Sequence, residues 1–307
     1  MHARITIALL TLTALPCPAC APDDEDAEFR MTSGSGSGSG SGPGTVFNTN
    51  IIDDAAVSEL LQPMGDYQLG IALTGVRTHE GEVAERFAVA DGELSIVGQE
   101  GAIFTKDEVL GSTWQLLPFN RLIWSSMVLA ERRDIDGWPH YRFTRGPLGL
   151  DTCVGGRAPI YARLLAGFTL DESTGDVAPL KHNTYIACDN GATGKAAALG
   201  YYDLAVGLDD FKPFEVAIRA IRADYCYDGV SHTTPGVELR LADRWGIRAE
   251  ASDRPLEAVW GPEGLLCFNT GRAGPFPACN EWELMPACLG DNGFVDHPDA
   301  LFITRLP

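Results

Sequence analysis

Long hydrophobic runs are scarce in this sequence of 307 residues. The longest lies near the start, Ile5 to Leu15, and its 11 residues fall well short of the ~20 needed for a membrane-spanning helix. No later segment is long and apolar enough to cross a bilayer. Positive charge is scarce too: 23 Lys and Arg against 42 Asp and Glu give a formal net charge of −19. Removing residues 1–44 takes away five acids and two arginines and leaves −16, so the acidity belongs to the body of the chain. Such a field repels phosphate backbones and anionic lipid, which excludes nucleic acid as a partner and leaves membrane contact only through an attached lipid. Also missing are a Gly-x-Ser-x-Gly nucleophile elbow, a phosphate-binding glycine loop, a repeat of solenoid length and, after Cys20, any Cys-x-x-Cys pair of the zinc type.

What is present begins with an address. Arg4, the apolar run and the small residues of Pro16-Cys17-Pro18-Ala19-Cys20-Ala21 describe an export signal over residues 1–19. Two cleavages fit: removal before Cys20 with lipid placed on its sulfur, or ordinary cleavage near Ala19-Cys20-Ala21. Either exports the protein to the cell envelope, lipid-anchored in the first case and periplasmic or secreted in the second. Residues 20–44 carry an acidic cluster and then Ser33-Gly34 repeated to Ser41-Gly42. Without apolar side chains this stretch cannot offset chain entropy, and it reads as a tether.

About 260 residues follow, enough for one large or two modest units with a real core. The fold expected is mainly β to α+β: a β-rich region over 45–144 and a mixed, disulfide-stapled region with few helices over 145–307. In the first, Asp91-Gly92 between two strand-like runs, Phe87 to Val97, predicts a hairpin, and Asp53 to Leu61 a short helix. In the second, strands are expected over Pro159 to Leu170, Thr184 to Cys188, and Ala300 to Thr304. A hairpin is expected from Leu256–Trp260 to Leu265–Phe268. Thr193 to Leu199 predicts a short helix. The clearest helix starts at Pro213, with Phe214, Ala217, Ile218, Ile221 and Tyr225 at helical spacing, and delivers Cys226 at its end.

Past the signal, six cysteines remain: Cys153, Cys188, Cys226, Cys267, Cys279 and Cys288. An even number in an exported chain reads as three disulfides, and six cysteines allow ~15 pairings. Cys279 and Cys288 are near enough to pair locally. Around Cys226 lies the richest stretch, IRADYCYDGVSH. Cys226 with His232, oriented by Asp224 or Asp228, has the composition of a nucleophile and base, but a catalytic thiolate must stay unpaired and would leave five cysteines. As metal ligands, Cys226 and His232 are half a zinc site. Asp224 with Asp228-Gly229, and Asp134 with Asp136-Gly137, fall short of a calcium loop, and Asp-Gly reads as a turn. No cofactor is expected. His140 and His182 read as structural or solvated, and the dispersed tryptophans 114, 124, 138, 245, 260 and 282 as core.

Arg222-Ala223-Asp224-Tyr225-Cys226, followed by Asp228-Gly229 and Ser231-His232-Thr233, resembles the ADYC domain, a bacterial family named for that tetrapeptide. Tyr185-Ile186-Ala187-Cys188, Leu199-Gly200-Tyr201, Asp243-Arg244-Trp245-Gly246-Ile247, and Trp260 to Gly264 with Cys267 follow the same pattern through 145–307. Tyr227 stands where that pattern has glycine, and a further cysteine near Ala197 is lacking. The resemblance implies an envelope-associated domain and carries over no catalytic residues. The reading is therefore a non-enzymatic binding or structural module facing an unknown envelope or extracellular partner. The alternative is an envelope hydrolase or metal-dependent enzyme using Asp224, Asp228 and His232.

Overall fold

The computed structural model describes residues 46–47, 54–58, 71–118, 125–146, 148–153, 159–171, 174–249, 253–273, 279, 286–290 and 293–307. The signal, the tether, Cys20, Trp124 and Trp282 lie outside them. In chain order the strands are β1 (Val46–Phe47), β2 (Asp54–Ser58), β3 (Ile71–Arg77), β4 (Ala84–Ala90), β5 (Glu93–Gly98), β6 (Ile103–Thr105), β7 (Thr113–Pro118), β8 (Ser125–Ile135), β9 (Trp138–Arg145) and β10 (Leu150–Asp151). There follow β11 (Ala162–Leu170), β12 (Val177–Cys188), helices α1 (Ala192–Ala198), α2 (Tyr201–Leu208) and α3 (Lys212–Arg222), then β13 (Glu238–Asp243), β14 (Leu256–Trp260), β15 (Leu265–Phe268) and β16 (Phe302–Arg305). Among the described residues the fold is β-rich with three α-helices, in keeping with the β-rich chain of few helices that the sequence implied.

The largest sheet runs β2-β12-β11-β9-β8-β7-β3, with β10 on β9, every neighbour antiparallel. It curls until its two edges, β2 and β3, approach each other. The smaller sheet β4-β5-β6 supplies Phe87, Leu94 and Ile96 to the same core as Trp114, Leu129 and Phe143. Period-two alternation produces this core, because inward residues such as Tyr141 and Phe143 are separated by outward ones. The Asp91-Gly92 hairpin forms as expected, with φ of 48° and 72°, the positive pair that a two-residue turn matched to strand twist requires. Asp136-Gly137 repeats it between β8 and β9, with φ of 53° and 82°. It is a turn.

Two expectations need correction. Asp54–Ser58 is a strand rather than part of a helix: its backbone pairs with Asn183–Ala187, and in so short a segment the cost of helix nucleation leaves inter-strand pairing to outweigh the helix propensity of its two alanines. The helix from Pro213 stops at Arg222, short of Tyr225. Ala223 takes φ 55°, its N–H reaching Ala220 O and the next N–H reaching Arg219 O, a paired capping arrangement that turns the chain. Helix α2 was not anticipated. Gly200, φ 92°, breaks it from α1.

Strand β11 and the second half of β12 are buried on both faces. Ala162, Leu164, Ile186 and Cys188 face the first core, while Leu165, Phe168, Tyr185 and Ala187 face a second. On that second side lie the three helices, covered in turn by the sheet β1-β13-β16-β14-β15 through Leu239, Ala258, Trp260, Phe268 and Phe302. Helices thus fill the space between two antiparallel sheets, and all of α3 from Pro213 to Arg222 is buried. A Cβ at Gly194 would overlap the Cys188 carbonyl, so α1 lies against the end of β12 only because that side chain is absent. The 256–268 hairpin forms as read, and the last strand, β16, sits between β13 and β14.

Candidate functional site

The stretch around Cys226 begins at the cap of α3. There Asp224 is fully buried and its carboxylate gathers the loop: it accepts the backbone N–H groups of Asp228 and Gly229, both at 3.2 Å, and pairs with Arg219 Nη1 at 2.7 Å. Arg219, 1 % exposed, also donates to Glu215, Thr174 O and Asp176, and its guanidinium lies 4.5 Å over the Tyr227 ring. Burial works against its charge, but the carboxylates of Asp224 and Glu215 outweigh that and raise its pKa further. Burial pushes the Asp224 carboxyl up against the pull of the same arginine.

Tyr225 is the second anchor. Its ring stacks on Trp260 at 5.6 Å and meets Phe268 edge-on at 4.7 Å, while its hydroxyl donates to the fully buried Glu257. Glu257 also accepts from Arg272 Nε at 2.7 Å, and Arg272 Nη2 reaches back to Ala220 O in the last turn of α3 at 2.9 Å. Burial, then the Glu257 charge, raises the Tyr225 hydroxyl so far that it stays protonated. Helix, motif and β14 are thereby tied through one ionic group.

Tyr227 has φ 54°, in the left-handed region that glycine favours. The strain is offset by its ring under Arg219 and its hydroxyl donating to Gly261 O at 3.1 Å. Asp228 Oδ1 accepts from Val230 N at 2.9 Å and closes a local turn, and Ser231 Oγ donates to Arg222 O at 2.9 Å. His232 stacks on Tyr225 and places Nε2 3.4 Å from Cys226 Sγ. Of the speculative trio, then, Asp224 and Asp228 adjoin through a backbone N–H. Among the described residues no hydrogen bond joins His232 to either carboxylate.

Cys226 is bonded to Cys279, Cys267 to Cys288 and Cys153 to Cys188, with Cα separations of 5.5, 4.9 and 5.6 Å. Cys279 and Cys288, close in sequence, take different partners. Two of these bridges carry an imidazole: His232 beside Cys226–Cys279, a neighbourhood their spacing had already suggested, and His297 beside Cys267–Cys288, which sequence reasoning missed, each with its sulfurs and ring nitrogen within 4.8 Å of one another. Metal binding needs thiolates, so only the reduced chain would offer these as ligand sets of two cysteines and one histidine. His140 is buried, its Nδ1 2.8 Å from Trp138 O and its Nε2 3.4 Å from Asp189. Trp114 and Trp260 are core residues, while Trp138 and Trp245 pack partly buried against the second core.

A second feature lies at the 243–248 loop. Asp243 Oδ1 accepts from the N–H groups of Trp245 and Ile247, and Oδ2 from Arg248 N and Tyr201 OH. With that carboxylate satisfied, a cavity of about 540 Å³ opens between Asp243, Arg244, Arg248, Phe294, Pro298 and Ala300. The Arg244 side chain is exposed and has no ion-pair partner among the described residues.

The arrangement defines a class first: a mainly β, disulfide-stapled protein with three helices between antiparallel sheets, its bridges those of an oxidising, extracytoplasmic compartment. Residues 141–274 match the ADYC domain, and the chain is an ADYC domain-containing protein. The match starts in β9 and ends before β16, the strand at the centre of the second sheet. No curated protein and no solved structure matches the chain.

Proposed function

We propose that this protein is an exported binding module of the bacterial cell envelope, held to the membrane by lipid on Cys20 and displayed on the tether of residues 20–44. The observation that supports a binding role is a division of labour within the ADYC region. Asp224, Tyr225 and Cys226 are engaged in holding α3, β14 and the disulfide together, while the 243–248 loop presents an exposed arginine at a cavity in an otherwise acidic body. An enzyme built on Asp224, Asp228 and His232 would need these side chains to converge where a substrate can reach them. Asp224 is instead sealed against Arg219.

The test places a photoreactive benzoylphenylalanine at exposed Ala249 on the rim of the cavity, with one at exposed Glu100 as control, and irradiates intact cells. The proposal expects a light-dependent adduct from 249 that is absent from 100 and lost when Arg244→Ala is added, and membrane association that is lost in Cys20→Ser. Equal or absent adducts would remove the binding reading, and unchanged fractionation of Cys20→Ser would remove the anchor.

A further inference from the structure

The three disulfides differ in setting. Cys153 and Cys188 are 5 % and 3 % exposed and belong to the first core. Cys267 is 3 % exposed, with His297 Nε2 at 3.9 Å. Cys226, Cys279 and His232 are all half-buried, and His232 Nε2 stands at 3.4 Å from Cys226 Sγ. His232 is itself fixed by stacking on Tyr225, whose ring is held by Trp260 and Phe268. A ring nitrogen against one sulfur of a reachable bridge has a chemical consequence. Thiol–disulfide exchange is limited by access and by how well the leaving sulfur carries negative charge, and an imidazole N–H beside that sulfur favours the charge.

We propose that Cys226–Cys279 is a thiol-exchange site, with His232 as the catalytic residue and a thiol of low molecular mass as the co-reactant. The incoming thiolate attacks Cys279 Sγ. The Cys226–Cys279 bond breaks, a mixed disulfide forms on Cys279, and the electron pair leaves on Cys226 Sγ, where His232 Nε2–H donates to it. A second thiolate then attacks the co-reactant's own sulfur in the mixed disulfide. That releases Cys279 as thiolate and the small-molecule disulfide as product, so two thiols are oxidised as one protein disulfide is reduced. Run backwards, the same steps re-form the bridge. Because only half-buried sulfurs are involved, a small thiol fits the site better than a protein cysteine. The inference concerns a face of the ADYC motif separate from the cavity and does not rest on the binding role.

The experiment uses the folded, full-length exported protein with reduced glutathione, quenched by alkylation at intervals and mapped by peptide mass spectrometry. The expected order of opening is Cys226–Cys279 first, Cys267–Cys288 second and Cys153–Cys188 last, with glutathione recovered on Cys279 rather than Cys226. In His232→Gln the rate for Cys226–Cys279 relative to Cys267–Cys288 falls about 10-fold, whereas His297→Gln leaves the Cys226–Cys279 rate unchanged. Another bridge opening first in the wild-type protein, glutathione found on Cys226, or an unchanged rate ratio in His232→Gln would overturn the proposal. The wild-type order and adduct position decide the matter even if a variant folds poorly.

Discussion

The two cores share β11 and β12 but are made of different chemistry. The first, inside the curled sheet, is aliphatic and aromatic, centred on Phe87, Trp114, Leu129 and Phe143, and its ionic contact, Arg132 with Glu93, sits at the margin. The second encloses charges: Glu215, Arg219, Arg222, Asp224, Glu257 and Arg272 are all buried around α3 and the motif. Cys226–Cys279 holds the end of α3 beside this second core, Cys267–Cys288 lies in a small third cluster with Leu256, Val259 and Ile303, and Cys153–Cys188 closes the first. Apolar packing tolerates small shifts, but an ion taken out of water must keep every partner. The ADYC residues are therefore the fixed part of the second core.

The largest predicted effect breaks that contrast at its most buried point. Arg272→Met leaves the Glu257 carboxylate without its guanidinium and should cost about 3–5 kcal/mol in chemical denaturation. Adding Glu257→Leu should recover much of that loss, which deletion of two apolar partners in the first core would not do. Next comes Lys195, 5 % exposed on α1, whose amine burial alone pushes down to about 8. Between pH 8 and its ordinary value of 10.5 the unfolded chain holds the extra proton, so stability must rise with pH across that window. The rise, measured as wild type minus Lys195→Met, should be about 3 kcal/mol.

How much of this was legible beforehand divides along the same line. The first core follows from alternation and from Asp-Gly turns, both local signals, so the hairpin at Asp91-Gly92 could be read directly. The strand Asp54–Ser58 could not, because its partner lies more than a hundred residues away at Asn183–Ala187. In the second core the periodic apolar positions announced α3, but its buried face also carries Glu215 and Arg219, which by composition belong on a solvated side. The other partners of Arg219, Asp176 and Asp224, come from a turn and a cap, with no spacing to connect them. Cysteine number predicted three bridges and gave no pairing. The neighbourhood of His232 and Cys226 was visible from their spacing, whereas that of His297 and Cys267, thirty residues apart, was not.

Smaller effects sharpen the comparison. Tyr227→Gly relieves a positive φ yet removes the ring beneath Arg219, so a net loss of about 1–2 kcal/mol is expected in thermal unfolding. A net gain would mean that the tyrosine is merely tolerated there. In the first unit, Gly92→Ala places a Cβ 2.6 Å from the Trp138 indole, whereas Gly137→Ala, at a similar positive φ, meets nothing within 4 Å. The second substitution should cost about 1 kcal/mol and the first more, by an increment that measures how firmly the hairpin rests on Trp138.

The claim on which the rest depends is that the motif cysteine is a staple between the α3 cap and Cys279, 53 residues further along the chain. Non-reducing peptide mass spectrometry of the exported protein tests it directly. The structure predicts Cys153–Cys188, Cys226–Cys279 and Cys267–Cys288 as the bridged peptides. A freely alkylating Cys226 in protein isolated without added thiol, or a Cys279–Cys288 peptide in place of these bridges, would contradict the account.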